Sequence, residues 1–172
     1  MSGPGGALSG PSHLLLDART ADVDLDGLRT WARSVTADVQ APFTVRSYRF
    51  PYALVAWHEA PVGVDLERVE RYPSGFAASV CTPTELPRYQ GPSGDGESLT
   101  ALWCGKEALA KALGDALRYD PRRLDSPVHW PDGQAGRWRA AELPAPTGHV
   151  AWMCWQVATP SSGSTRPAQP AN

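Results

Sequence analysis

The sequence predicts an α+β fold from three observations. Aromatic and β-branched segments with strand character fill Phe43 to Glu67, a run with helical spacing follows from Leu99 to Gly114, and short strand-like segments separated by turn residues close the chain. With 172 residues, 42% of them hydrophobic and 20% charged, the composition is that of one globular unit. A net charge of −2 lacks the basic excess that nucleic-acid binding needs, so no nucleic-acid partner is expected. No apolar run approaches the ~20 residues of a membrane span, and no charged-then-hydrophobic leader is present, so neither a membrane partner nor a targeting signal is expected. Cys81, Cys104 and Cys154 are odd in number and widely spaced, which reads as buried thiols in the reducing cytoplasm.

Residues 1–12, rich in Gly, Ser and Pro, are expected to be disordered, as is the polar tail 159–172, leaving 13–158 as a single domain. His13 to Ala18 reads as a first strand. A helix follows to about Thr36, capped by Asp24 or Asp26, with Leu25, Leu28, Trp31, Ala32 and Val35 on one face. Phe43 to Phe50 and Tyr52 to His58 read as strands bent apart at Pro51. Val62 to Glu67 alternates, placing Val64 and Leu66 on one face and Asp65 and Glu67 together on the other. Thr82, Pro83 and Glu85 form a helix-start pattern, Gln90 to Ser98 a flexible loop, and Val128–Trp130, Arg137–Leu143 and His149–Val157 a short antiparallel meander.

The helix from about Ser98 to Gly114 is the chemically informative stretch. Leu99, Leu102, Trp103, Lys106, Leu109, Ala110 and Leu113 share a face, and Gly114 is placed to end the helix. Lys106 therefore stands mid-stripe, where its ammonium must reach water or meet an anion. Glu107 and Lys111 are neighbours four residues apart. The chain has 16 basic residues, and its only two lysines are Lys106 and Lys111; the other 14 are arginine. Lysine differs from arginine as a compact point charge that binds phosphate and can lose its proton, so this helix points to phosphate or proton chemistry. Asp65 and Glu67 on a strand, with Glu107 on a helix packed over it, would offer oxygen ligands to a hard cation, for which magnesium fits best. Glu85 has a capping role and a catalytic one both open to it.

The run Val62-Gly63-Val64-Asp65-Leu66-Glu67, followed by Trp103-Cys104-Gly105-Lys106-Glu107-Ala108-Leu109-Ala110-Lys111, closely resembles the paired signature of the 4'-phosphopantetheinyl transferases, particularly the pseudodimeric type that serves polyketide and nonribosomal peptide synthetases. The likeness covers about Tyr52 to Val157. It implies two similar α+β halves, about 13–60 and 61–158 with the N-terminal half shortened, and coenzyme A as substrate in the cleft between them with Mg2+ on its pyrophosphate. Asp65, Glu67 and Glu107 match the family's metal ligands. Lys111 matches the lysine that contacts the phosphate and protonates the leaving group, and Lys106 the signature's other lysine. Glu85 lies where the family has an acidic residue proposed to activate the acceptor hydroxyl, which with Glu107 and Lys111 makes the catalytic set. Ser47-Tyr48-Arg49 stands where the family usually shows Ser-His-Ser, so Ser47 and Arg49 join Lys106 and Lys111 as cofactor-binding candidates.

The implied reaction moves the 4'-phosphopantetheine arm from coenzyme A to a serine of an acyl or peptidyl carrier protein. Such carriers are acidic helical bundles, to which Arg68, Arg71, Arg88, Arg118, Arg122 and Arg123 are candidate contacts. Two alternatives stay open: the same scaffold doing different chemistry on a biosynthetic intermediate, or a non-catalytic carrier-binding module.

Overall fold

Alternation in the strands decides how the layers stack. The computed structural model describes residues 10–90 and 96–157; most of both expected disordered ends, and residues 91–95 of the expected loop, lie outside the described residues. β1 (Ser12–Asp17), β2 (Phe43–Arg49) and β3 (Tyr52–His58) form an antiparallel sheet in the order β1-β3-β2. β4 (Val62–Arg68), β5 (Gln134–Ala135), β6 (Trp138–Leu143) and β7 (His149–Gln156) form a second, in the order β4-β7-β6-β5. One face of β3 presents Tyr52, Leu54 and Ala56, which meet Val62, Val64, Leu66, Leu143, Ala151 and Met153 of the second sheet in a shared core. The other face, with Ala53 and Val55, packs under α1 (Leu25–Ser34) through Leu28 and Ala32. On the far side of the second sheet, Val150, Trp152 and Cys154 meet Cys104, Ala108 and Leu109 of α4 (Gly96–Ala112). Each sheet thus carries a helix on its outer face, and the α+β class expected from the sequence holds.

Local chemistry explains where the helices begin and end. Asp24 caps α1, its Oδ1 accepting from the Gly27 N–H at 2.8 Å. At the end of α4, Gly114 adopts φ +78°, and the N–H groups of Gly114 and Asp115 donate back to the carbonyls of Lys111 and Ala110 at 3.1 and 3.0 Å. That pair of bonds is a Schellman stop, which the left-handed glycine makes accessible. Gly63 serves close approach instead of a turn, since a Cβ there would stand 2.0 Å from the Ala108 carbonyl oxygen and 2.5 Å from the Ala112 nitrogen. Without a side chain, β4 lies directly against the α4 backbone.

Two elements differ from expectation. Val128–Trp130 does not enter the meander; Pro127–His129 is a 3-10 turn, because the Ser126 side chain caps it and Pro127 presets its first residue. α4 begins at Gly96, and it is buried on most sides rather than along one stripe. The short helices α2 (Phe76–Val80) and α3 (Leu86–Tyr89) cover it opposite the sheet, through Val80, Cys81, Leu99 and Leu102 with Leu86 and Tyr89 packed against them. Leu113 falls beyond the helix and is half exposed. All three cysteines are buried and free.

Candidate functional site

β2 and β4 are both edge strands, and Ser47 crosses from one edge to the other. Its hydroxyl accepts from the Leu66 N–H at 3.3 Å, satisfying an edge donor, and donates to Asp65 Oδ1 at 2.8 Å. Lys111 reaches the same oxygen from α4, donating at 2.7 Å to Asp65 Oδ1 and at 3.1 Å to the Val64 carbonyl. Asp65 Oδ2 is buried and has no hydrogen-bond partner among the described residues. Two positions further along the same strand pair, Arg49 of β2 forms an ion pair with Glu67 of β4.

Glu107 sits on α4 one turn before Lys111 and is half-buried. Its Oε1 accepts from the Tyr119 hydroxyl. Burial, then the charge of Asp65, raise its pKa, against the lowering effects of the Tyr119 hydrogen bond and the Lys111 ammonium. Tyr119 is itself pushed up by burial and by Glu107. Behind Tyr119 opens a cavity of about 630 Å³ that Ala110, Leu113, Arg118, Arg123 and Leu124 also line.

Glu85 and Lys106 are not part of this cluster. Lys106 is 0% exposed, and its ammonium donates to the Val80 carbonyl at 2.6 Å, to Glu85 Oε2 at 2.6 Å and to the Pro121 carbonyl at 2.9 Å. Three protons meet three acceptors. Glu85 accepts from the Thr82 N–H through Oε2 at 2.8 Å and from the Ser126 N–H through Oε1 at 2.6 Å. Burial pushes its pKa up, but the bonds from Lys106, Ser126 and Thr82 prevail and hold it below its ordinary value. Both groups are saturated, so this geometry favours the capping role for Glu85 and a clamp, not a substrate contact, for Lys106. Ser47 likewise lies 6% exposed and holds Asp65, whereas Arg49 keeps 44% of its side chain in solvent.

Of the three carboxylates expected to converge, Asp65 and Glu107 lie near each other and Glu67 is engaged by Arg49. Among the described residues no three His, Cys, Asp or Glu side chains gather closely enough to hold a metal ion. A buried carboxylate oxygen with no partner, beside a second carboxylate whose charged form is disfavoured, still fits a hard cation of the magnesium type, which needs only one or two carboxylates when substrate phosphates complete its shell. Sequence reasoning missed Tyr119. It follows the helix stop at Gly114, in a segment with no periodicity to tie it back to Glu107.

Comparison with known proteins bears on the same stretch. No helix among the described residues is long and apolar enough to cross a membrane. Over 63 residues the chain is 40% identical to the holo-[acyl-carrier-protein] synthase of Streptococcus suis (strain 05ZYH33), a match covering 32% of this chain and 53% of that protein, so the chain spans about half the length of this curated relative. The model of the 4'-phosphopantetheinyl transferase superfamily matches residues 61–157, more than half of the chain, from the start of β4 through α4 to the end of β7. With its acidic cluster and Lys111 inside that match, the chain belongs to the 4'-phosphopantetheinyl transferase superfamily.

Proposed function

We propose that this chain transfers the 4'-phosphopantetheine arm of coenzyme A to a serine of an acyl or peptidyl carrier protein, in a magnesium-dependent reaction. What carries the reading is Asp65: one oxygen is fixed by Ser47 and Lys111, the other is buried without a partner among the described residues, and Glu107 stands close by. A binding module has no use for a buried carboxylate kept half-satisfied, since an unmet acceptor costs stability.

Asp65 and Glu107 would hold the magnesium ion, which when bound supplies positive charge against the pyrophosphate. Lys111 would neutralise a phosphate oxygen and give a proton to the leaving 3',5'-ADP. The serine oxygen forms the new bond to the β-phosphorus, its proton passes to a carboxylate of the cluster, and the bond to the departing phosphate breaks. Ser47 acts through Asp65, and Arg49 through Glu67. The same reading takes 13–158 as one domain of the pseudodimeric type with a shortened first half; the two sheets, divided between β3 and β4, support that division.

Incubation of the chain with coenzyme A, magnesium and a panel of apo carrier proteins, followed by intact-protein mass spectrometry, tests the proposal. A phosphopantetheine mass increment on at least one carrier, abolished by chelation, is expected. Absence of any increment across the panel, together with no magnesium-dependent coenzyme A binding, refutes it.

A further inference from the structure

Glu107 stands four residues before Lys111 on α4, the spacing and order at which a glutamate and a lysine on a helix ordinarily pair. Here they do not. Lys111 turns to β4 instead, donating to Asp65 Oδ1 at 2.7 Å and to the Val64 carbonyl at 3.1 Å, and Glu107 forms no ion pair among the described residues. Its side chain has one hydrogen-bond partner among those residues, the Tyr119 hydroxyl on Oε1. A phenol O–H supplies a single proton and no charge, so it occupies one carboxylate oxygen, leaves Oε2 open and leaves the negative charge uncancelled. An ammonium there would cancel it.

Tyr119 is delivered by a segment tied down on both sides. Before it, the Asp115 N–H donates to the Ala110 carbonyl at 3.0 Å, and the Asp115 carbonyl accepts from the N–H groups of Arg118 and Tyr119 at 3.0 and 3.2 Å. After it, Asp120 caps the 3-10 turn Pro121–Arg123, and the Pro121 carbonyl accepts from the buried Lys106 ammonium at 2.9 Å. Consecutive residues of α4 thus act on one segment: Lys106 anchors its main chain, and Glu107 receives its tyrosine. With the backbone fixed around it, the hydroxyl meets Glu107 in a set place, the kind of support that holds a site in its working geometry.

We propose that Tyr119 is a positioning residue that keeps Glu107 out of an ion pair with Lys111, so that the carboxylate stays available to a cation and the ammonium to a phosphate; the use of those two charges rests on the transferase reading above. Without the hydroxyl, Glu107 and Lys111 close on each other. Glu107 is half-buried and Lys111 keeps 21% of its side chain in solvent, so that pair would be stronger than one on an open helix face, and both charges would be withdrawn from ligand. Groups that orient a metal-binding carboxylate are commonly worth about ten- to a hundredfold in metal affinity.

Tyr119→Phe deletes only the hydroxyl and keeps the ring that lines the neighbouring cavity, and thermal melting checks that the fold is retained. Mn2+ serves as the probe, titrated into the full chain with and without coenzyme A and followed by the paramagnetic resonance signal of the free ion. Tyr119→Phe should bind Mn2+ about tenfold more weakly than wild type. In a Lys111→Met background the same substitution should cost about threefold or less, because no ammonium is left to capture Glu107. Carrier modification by Tyr119→Phe should fall at low magnesium and recover at saturating magnesium; a loss that magnesium leaves untouched counts against the proposal. Equal Mn2+ affinity in Tyr119→Phe and wild type, or an equal loss in both Lys111 backgrounds, overturns the positioning role and leaves the transferase reading standing where wild type modifies a carrier. A Mn2+ loss that depends on Lys111, with no carrier modified, supports the positioning role and counts against the transferase reading alone. No Mn2+ binding by wild type under either condition, with no carrier modified, overturns both.

Discussion

Lys106 and Glu85 meet at 2.6 Å with side-chain exposures of 0% and 4%, and their remaining polar atoms are met by the carbonyls of Val80 and Pro121 and the N–H groups of Thr82 and Ser126. The pair fastens α4 to the end of α2, to the turn before α3 and to the 121–126 segment. Because each partner leaves the other as an unmatched buried charge, Glu85→Gln and Lys106→Met should each cost about 3–5 kcal/mol. In a denaturant double-mutant cycle the double variant should lose less than the sum, with coupling of about 1–3 kcal/mol. Strict additivity would mean that the two groups do not stabilise each other. At a temperature where Glu85→Gln is folded, transfer should persist within a few-fold of wild type; a hundredfold loss in a folded variant would return Glu85 to the catalytic set.

Acid should find the same clamp. The folded-state pKa of Glu85 lies below its ordinary 4.5, so the unfolded chain takes up the proton first as pH falls. Its contribution is complete above pH 4.5 and is lost as pH drops from there through the depressed folded value. Wild-type stability measured between pH 7 and pH 3 should therefore fall more steeply below 4.5 than that of Glu85→Gln. Parallel curves would contradict the assignment.

Glu107 has the opposite sign. Burial and the neighbouring Asp65 raise its pKa, so its share of stability is complete below the ordinary value and is lost as pH rises through the raised one, leaving a cost near neutrality. Glu107→Gln should therefore raise the neutral-pH melting temperature while abolishing transfer. Magnesium should raise the melting temperature of wild type and leave that of the variant unmoved. Equal magnesium shifts in both would remove Glu107 from the metal assignment.

How far the sequence could be read depends on whether a feature is local. Alternation in β4 places Asp65 and Glu67 on one side correctly, yet it holds no information about Arg49, which arrives from a different sheet and captures Glu67. Helical spacing implies that Lys106 must meet an anion or reach water. The anion is Glu85, and only folding decides that choice. Aromatic and β-branched content makes Val128–Trp130 resemble a strand, but the Ser126 cap and Pro127 bend it into a 3-10 turn. Tyr119 leaves no trace beyond its residue type, because a coil after a helix stop has no period to read.

Ser47, a cofactor-contact candidate by sequence, lies beneath Asp65 and is bonded to the carboxylate and to the Leu66 N–H. Ser47→Ala should leave a buried donor unmet and cost about 1–3 kcal/mol. It should also lower kcat for transfer more than it raises KM for coenzyme A, since it disturbs the orientation of Asp65 without touching substrate. A change confined to KM would restore Ser47 as a direct ligand contact.

Gly63 decides whether the close approach of β4 to α4 is what assembles the cluster. Asp65 comes from the strand and Glu107 and Lys111 from the helix, so their meeting depends on the distance between the two backbones. A methyl group at position 63 would stand 2.0 Å from the Ala108 carbonyl oxygen and 2.5 Å from the Ala112 nitrogen, and both are main-chain atoms that no rotamer change can move aside. Gly63→Ala must push the helix off the strand or unfold it, at a cost of about 3 kcal/mol or more, the upper end for an overpacked core. In whatever fraction stays folded, the Lys111–Asp65 contact should open and transfer should fall at least tenfold. A Gly63→Ala chain with wild-type stability and turnover would show that the cluster does not depend on this approach, and the geometric basis for the site would fail with it.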